Sequence, residues 1–204
     1  MKQALKNVIT LALSLILCPC IILARLEKIF SREEGVFQFF AQLLSLVPGV
    51  PGSYLRKAYY RFTLKRCSLT SHIDFGTFFP HRDTEIGQRV IIGAYCVVGC
   101  AKLEDDVMLA SRVSITSGKN THQNESGAIT HEHYFRKVTI GSRTWIGEGS
   151  VVLANVGSDS VVSAGSVVTK DAPPNITAVG NPARFIPRAQ QLVASTVAEV
   201  VPAS

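Results

Sequence analysis

Along the second half of the chain an apolar residue followed by a small one returns every six positions. The run reads Ile86-Gly87, Ile92-Gly93 and Val98-Gly99. After a slip of one residue it continues at Leu103, Leu109-Ala110 and Ile115. It resumes at Ile140-Gly141, Ile146-Gly147 and Val152, then after a four-residue step at Val156-Gly157, Val162-Ser163 and Val168. A period of six is neither the 3.6 of an amphipathic helix nor the 2 of a half-buried strand, and it predicts a solenoid of stacked short strands. Three hexads close one triangular coil of about eighteen residues, with the leading Ile, Val or Leu filling the prism. The small residue that follows is expected at a tight corner, where glycine tolerates backbone angles that a Cβ opposes. Four residues after each leading position, Val90, Cys96, Val113, Thr144, Ser150, Ser160 and Ser166 form a second inward or corner set. A β-sandwich would need turn signals every ~8–12 residues at irregular spacing, which this run lacks.

The first 66 residues follow other patterns. Residues 8–24, VITLALSLILCPCIILA, carry no charge. As one helix they would reach ~26 Å, just short of a ~30 Å hydrocarbon core, and Pro19 favours a kink within them. Lys2 and Lys6 precede this run as in a signal peptide, but no small-x-small cleavage site follows before Arg25-Leu26-Glu27. The reading is membrane attachment, as one short span or as a re-entrant hairpin bent at Pro19; a helix buried against a partner subunit is the bland alternative. Between Val36 and Val47, the residues Phe37, Phe40, Ala41, Leu44 and Val47 recur at helical spacing. That helix suits a membrane surface and the base of the prism equally. In the stretch from Tyr54 to Phe62, tyrosines alternate with Arg56, Lys57 and Arg61, a mixture suited to lipid headgroups or to a solvated helix face.

The solenoid is expected to begin near Ser71 to Gly76 with an irregular coil, capped by Phe78 and Phe79, with His72 and His81 as surface or capping residues. This gives membrane-associating helices over residues 1–66, a β-helix over 67–188 and a short helix with a loose tail over 189–204. The Asp171-Ala172-Pro173-Pro174 run is expected to end the ladder, because proline donates no hydrogen bond to it.

Net charge is +6 and the chain holds five cysteines in no metal-binding spacing. The cationic excess suits anionic lipid surfaces or a phosphate-bearing cofactor, and no nucleic-acid motif accompanies it. Odd, scattered cysteines suit a reduced cytosolic setting better than a disulfide framework.

Chemistry concentrates where the repeat is broken, over residues 117–137. A polar, glycine-containing insertion in a regular solenoid is a projecting loop, and such loops carry function. This one holds three of the five histidines: His122, His131 and His133. Imidazole titrates near neutrality and suits a base that takes a proton from an attacking hydroxyl.

The repeats, the Trp145-Ile146-Gly147 triplet, the run from Ala164 to Asp171 and the closing Gly180-Asn181-Pro182-Ala183-Arg184 resemble the hexapeptide-repeat acetyltransferases, whose fold is a left-handed parallel β-helix. Within them the chain most resembles the O-acetyltransferases of capsule, colanic-acid and related surface-polysaccharide synthesis. The resemblance covers roughly residues 70–188. It implies a mainly β chain that uses acetyl-CoA as co-substrate and needs no metal. It further implies a sugar or lipid-linked glycan acceptor, membrane lipids at the N-terminal segment, a homotrimer with sites between subunits, and a place on the cytoplasmic face of a bacterial inner membrane. By position after Ser117-Gly118, His122 matches the catalytic histidine. Trp145 is implied at the active site, Glu148 or Glu125 as the group orienting His122, and Ala164 and Gly165 in the pantetheine groove. Thr169, Lys170 and Arg184 are implied near the adenosine phosphates, with Arg188 assisting. The short step from Val152 to Val156 departs from the family pattern and points to a reshaped groove wall. Two alternatives stay open: an enzyme like the γ-type zinc carbonic anhydrases, although these candidate histidines crowd into one loop, and a non-catalytic β-helix scaffold subunit.

Overall fold

The computed structural model describes residues 2–31, 33–117, 129 and 135–188. Within these, four helices precede a three-faced parallel β-helix. The helices are α1 (Lys2–Ile16), α2 (Cys18–Phe30), α3 (Gly35–Ser45) and α4 (Gly49–Thr63). The first face of the prism stacks β1 (Arg66–Cys67), β3 (Glu85–Ile86), β6 (Ala101–Leu103) and β9 (Val138–Ile140). The second stacks β2 (His72–Ile73), β4 (Ile91–Ile92), β7 (Met108–Leu109), β10 (Trp145–Ile146), β12 (Val161–Val162) and β14 (Ile176–Val179). The third holds β5 (Val97–Val98), β8 (Ser114–Ile115), β11 (Val151–Val152) and β13 (Val167–Val168).

The six-residue period sets this register. Ile86 pairs with Leu103 and Leu103 with Ile140, so leading residues stack directly on one another. All twelve leading positions from Ile86 to Val168 are at most 2% exposed, which makes the prism interior a continuous apolar column. The second set is buried as expected, and its polar members are satisfied by the neighbouring coil: Thr144 Oγ1 donates to Gly157 O at 2.9 Å and Ser150 Oγ to Ser163 O at 3.0 Å.

The corner glycines act differently from the expectation. The left-handed residue at a corner comes three places after the leading one, as in Arg89, Tyr95, Asp106, Arg112, Arg143 and Asp159, whose φ values run from 54° to 62°. Gly147, one place after Ile146, is not among the positive-φ residues. A Cβ on it would lie 2.5 Å from the backbone nitrogen of Ala164 in the next coil, so it is the close stacking of coils that favours the missing side chain there.

Three further expectations are corrected. The first coil begins at Arg66, where β1 pairs with β3, ahead of Ser71. Pro173 and Pro174 do not end the ladder: they sit at a corner, where no ladder donor is needed, Ala172 bridges to Val156, and β14 adds one more strand to the second face. The end is made by β15 (Arg184–Pro187), which turns back antiparallel onto β14. The third correction concerns α4. Arg56, Tyr59 and Tyr60 are fully buried and Lys57 nearly so, placing these four under the first coil, while Arg61 and Phe62 at the end of the segment stay exposed.

The cause lies in the partners α4 meets. The Tyr60 ring packs edge-on to Phe79 at 4.7 Å, closing the open end of the prism, and Tyr59 Oη donates to Phe37 O at 3.0 Å. Arg56 points its guanidinium at the end of α3, donating to Leu44 O at 3.1 Å and Val47 O at 2.8 Å. A buried cation is tolerated there because it satisfies helix-terminal carbonyls and meets the negative end of the helix dipole. Arg82, in the loop leaving the first coil, bonds Ala24 O and the Glu27 carboxylate and lies over the Phe37 ring, tying α2 and α3 to the prism. His72 and His81 are joints as well: Ser53 Oγ lies 3.1 Å from His72 Nδ1, and Glu34 Oε2 lies 2.9 Å from His81 Nδ1.

Among the described residues, no single helix is long and apolar enough to cross a membrane. α1 and α2 qualify together by length and composition, but they meet at a 70° bend. The break falls at Leu17, with Pro19 in the first turn of α2, where a missing N–H is harmless. α3 is amphipathic as expected: Phe37, Ala41 and Leu44 are buried, while Phe39 and Leu43 face outward.

Candidate active site

Every departure from the six-residue step falls at one corner, where the third face hands over to the first. The step is five residues from Val98 to Leu103 and four both from Val152 to Val156 and from Val168 to Ala172. The long insertion leaves at this corner after Ser117. Left-handed turn residues mark the other two corners and, among the described residues, not this one. Shortening and interruption together open the prism's edge. A cleft of about 250 Å³ lies along it, lined by Arg136, Lys137, Leu153, Asn155, Lys170 and Asp171. A second cleft of about 520 Å³ continues toward the end of the prism, between Thr169, Lys170 and the turn from Gly180 to Arg184. Thr169 and Lys170 line both, so one groove follows the edge.

The insertion is pinned to this groove at both ends. Ser117 Oγ accepts from the Cys100 N–H at 3.1 Å, and Ser117 O accepts from the Arg136 N–H at 2.8 Å. Departure and return are therefore hydrogen-bonded neighbours. His122, Glu125, His131 and His133 lie outside the described residues.

The groove is cationic and its cations are of two kinds. Lys137 is engaged: its Nζ lies 2.7 Å from Glu85 Oε1, which Lys65 also approaches at 3.0 Å, and these bonds hold the Glu85 carboxyl below its ordinary value. Arg136 reaches Asp171 at 3.8 Å, and Asp171 accepts from the Asn155 N–H at 2.9 Å, which stiffens the floor of the short corner. Lys170 and Arg184 are exposed and, among the described residues, neither is paired with a carboxylate. Two such cations beside the exposed backbone of a turn suit a phosphate-bearing ligand.

The structure brings Thr169, Lys170 and Arg184 to one cleft. It places the other expected residues elsewhere within the chain. Trp145 stands in mid-strand on the outer side of the second face, between Met108 and Val161, and is 48% exposed. The expectation of a corner aromatic beside the groove is corrected for a single chain, because the residue just before a leading position points outward from a flat face. Glu148 lies at the corner between second and third faces, its carboxylate 2.6 Å from Arg112. Gly165 stacks on it, donating its N–H to Glu148 O at 2.8 Å, with φ +68° and open space where a Cβ would be. Trp145, Glu148, Ala164 and Gly165 line neither cleft. Sequence reasoning passed over Arg136, Lys137 and Asn155; the signal that finds them is step length, since all three flank a shortened or interrupted corner. Among the described residues no group of three His, Cys, Asp or Glu side chains is placed to hold a metal ion.

Comparison with known proteins bears on this geometry. A family model described as the hexapeptide repeat of succinyl-transferase matches residues 137–170. The galactoside O-acetyltransferase of Escherichia coli (strain K12) is 41% identical over 86 residues, which make up 40% of this chain and 41% of that protein. Among solved structures, a maltose O-acetyltransferase from Clostridium difficile 630 aligns with a TM-score of 0.60 at 26% identity, covering 74% of this chain and 83% of that one. A galactoside acetyltransferase in complex with coenzyme A aligns at 0.61 with 23% identity, covering 72% and 76%, which speaks for the fold alone. The chain spans less than half the length of the E. coli relative it matches. With its coils stacked in three faces and its repeat matched in sequence, the chain is similar to hexapeptide-repeat acetyltransferases over part of its length.

Proposed function

We propose that this protein transfers an acetyl group from acetyl-CoA to a hydroxyl of a sugar, at the surface of a membrane. The observation that carries the reading is the convergence of Thr169, Lys170 and Arg184 on the cleft that continues into the corner from which the insertion projects. Lys170 and Arg184 hold the phosphates of the nucleotide. Residues of the turn from Gly180 to Ala183 offer backbone groups along it. The acyl thioester supplies a carbonyl carbon open to attack. His122 takes the proton of the acceptor hydroxyl as that oxygen bonds to the carbonyl carbon, and returns it to sulfur as the C–S bond breaks. No nucleophilic side chain is needed. The galactoside and maltose O-acetyltransferases among the relatives favour a sugar acceptor.

The membrane part of the reading rests on the helices. Leu5, Val8, Leu15 and Ile16 of α1, Leu23, Ile29 and Phe30 of α2 and Phe39 and Leu43 of α3 are all exposed. Exposed cations Lys6, Arg25, Lys28 and Arg61 lie among them, whereas Glu27 and Glu34 turn inward onto Arg82 and His81. Apolar side chains with an outward cationic excess suit an anionic bilayer surface and favour a place at the cytoplasmic leaflet, where acetyl-CoA is found. The acceptor is then a lipid-linked glycan of surface-polysaccharide synthesis. The exposed stripe of Ile91, Met108 and Trp145 on the second face supports a homotrimer in which a neighbouring chain covers it and completes the site.

The test is acetyl transfer from labelled acetyl-CoA to a panel of galactosides, maltosides and lipid-linked glycans, with His122→Ala as the companion. A hydroxyl-bearing sugar should be acetylated by the wild type, and the variant should lose at least about 100-fold in kcat. No transfer to any hydroxyl, or an unimpaired variant, would overturn the assignment.

A further inference from the structure

The cleft beside the insertion holds more donors than the donor nucleotide uses. Among its lining side chains the cations Arg136, Lys137 and Lys170 stand against a single carboxylate, that of Asp171. Asp171 is already engaged, since its Oδ1 accepts the Asn155 N–H at 2.9 Å and its Oδ2 lies 3.8 Å from Arg136. Nor does Glu85 cancel the charge of Lys137. Lys65 shares that carboxylate at 3.0 Å, so two ammonium groups lie on one anion and the trio keeps a positive charge.

Asn155 adds a neutral donor. Its Oδ1 accepts the Thr139 N–H at 2.8 Å, which settles the orientation of the amide and leaves its NH2 group, among the described residues, without an acceptor. Arg136 combines a fixed backbone with a loosely held side chain. Its N–H donates to Ser117 O at 2.8 Å, at the point where the insertion returns, while its guanidinium is 75% exposed. An ion pair as long and as exposed as the one with Asp171 contributes little, so an incoming anion displaces that carboxylate at small cost.

From this surplus we infer that the acceptor sugar carries an anionic group, a carboxylate or a phosphate, which Arg136 binds with the Asn155 amide as a second donor. Either group presents paired charged oxygens to a guanidinium, and a neutral hexose has none to offer. The inference rests on the acetyl-transfer reading and names the class of its acceptor. On that reading Lys170 and Arg184 serve the nucleotide in the neighbouring cleft, which leaves Arg136, Lys137 and Asn155 on the side where acceptor and thioester meet.

The experiment measures kcat/KM of the full chain with acetyl-CoA and four acceptors built on one ring: methyl galactoside, methyl galacturonide, the methyl ester of that galacturonide, and galactose 1-phosphate. The galacturonide or galactose 1-phosphate should be used at least about tenfold better than the galactoside and the ester, the ester failing because it keeps the shape and loses the charge. Which anion is favoured tells a uronic acid acceptor from a phosphate-linked sugar. Arg136→Ala should cut the ratio of anionic to neutral use about tenfold, Arg136→Lys should keep part of it, and Arg136→Glu should reverse it. Equal use of charged and neutral rings by the wild type overturns the inference and leaves acetyl transfer in place. A preference that survives intact in Arg136→Glu overturns it too, by moving the partner of the anion elsewhere. An effect of Arg136→Ala confined to KM for acetyl-CoA also overturns it, by giving the cleft to the phosphates of the donor. Saturation-transfer NMR of the same sugars without acetyl-CoA covers the case in which none is acetylated. Binding of an anionic sugar that Arg136→Glu abolishes then keeps the cleft and removes acetyl transfer, and the absence of such binding removes both.

Discussion

The ring of Phe135, where the insertion rejoins the prism, lies 4.3 Å from the ring of His81 at the prism's base. His81 in turn meets Glu34 at 2.9 Å, just ahead of α3. The return of the insertion, the first coil and the helical layer thus share one contact chain down a single edge of the molecule. Burial acts to raise the Glu34 carboxyl, but hydrogen bonds from His81 and from the Arg82 N–H outweigh it and hold the group below its ordinary value.

That balance fixes a pH dependence. A carboxyl lowered in the folded state contributes stability that is present above its ordinary value and is lost as pH falls through the lowered one. Glu34→Gln should therefore cost about 1–3 kcal/mol near neutrality and lose less than the wild type on acidification below about pH 5. Urea midpoints measured across that range check it; parallel curves for the two proteins would show that the pair contributes nothing.

Arg56 and Gly52 make a second junction testable. A Cβ on Gly52 would sit 1.9 Å from Val47 O, so α3 and α4 approach this closely only because the side chain is missing, and that approach delivers Val47 O to Arg56. Arg56→Met should strand the helix-terminal carbonyls and cost about 2–4 kcal/mol, and Arg56→Lys should recover only part, since one ammonium cannot serve both those carbonyls, which Nη1 holds, and the fork's other acceptor, Ile73 O, to which Nε donates at 3.2 Å. Gly52→Ala should be at least as damaging. Denaturant unfolding of the three variants decides it, and a fully rescued lysine variant would remove the fork argument.

The prism was legible because a leading residue every six positions has one physical use, and each such residue from Ile86 to Val168 is inside. The active edge was legible in part. The step from Val152 to Val156 announced a changed corner, but pairing Leu153, Asn155 and Lys170 across coils depends on stacking, which the spacing of one coil does not contain. The helix α4 was misleading for a reason that generalises. Tyrosines and cations at helical spacing suit headgroups and also suit a buried interface, provided another element brings carbonyls to receive the cations. Here the end of α3 does so, and nothing local to residues 54–62 reveals it. Trp145 belongs to a third kind of case, since a single chain leaves an outward stripe whose meaning depends on a neighbour.

Trp145 makes that dependence measurable, because it is the chain's one tryptophan. Half-exposed in the isolated chain, it should emit as a solvated indole in dilute monomer and shift to the blue when a partner covers the second face. Met108→Glu, beside it on β7, should hold the protein monomeric by setting a charge in the stripe. Light scattering and emission spectra at matched concentrations test this. A monomeric wild type, or a trimer whose emission is unshifted, would place Trp145 outside any interface.

The two clefts along the open edge predict a division of labour. Lys170 and Arg184 face the cleft at the prism's end, whereas Arg136 and Asn155 belong to the one beside the insertion. If the first pair holds the phosphates, Lys170→Ala and Arg184→Ala should each raise KM for acetyl-CoA about tenfold, the ~1.4 kcal/mol of one charge-assisted contact, and leave KM for the sugar near its wild-type value. Arg184→Lys should recover part of the loss, since a point charge still attracts phosphate without matching the fork. Arg136→Ala should act in the opposite sense, raising KM for the sugar and sparing acetyl-CoA, because its guanidinium lines only the cleft at the insertion. Lys170 lines both clefts, so any secondary effect on the sugar should appear in it and not in Arg184. Initial-rate measurements with each substrate varied against the other separate these patterns. Equal effects of all three alanine variants on both KM values would mean that the edge holds one undivided site and that the donor lies elsewhere on the prism.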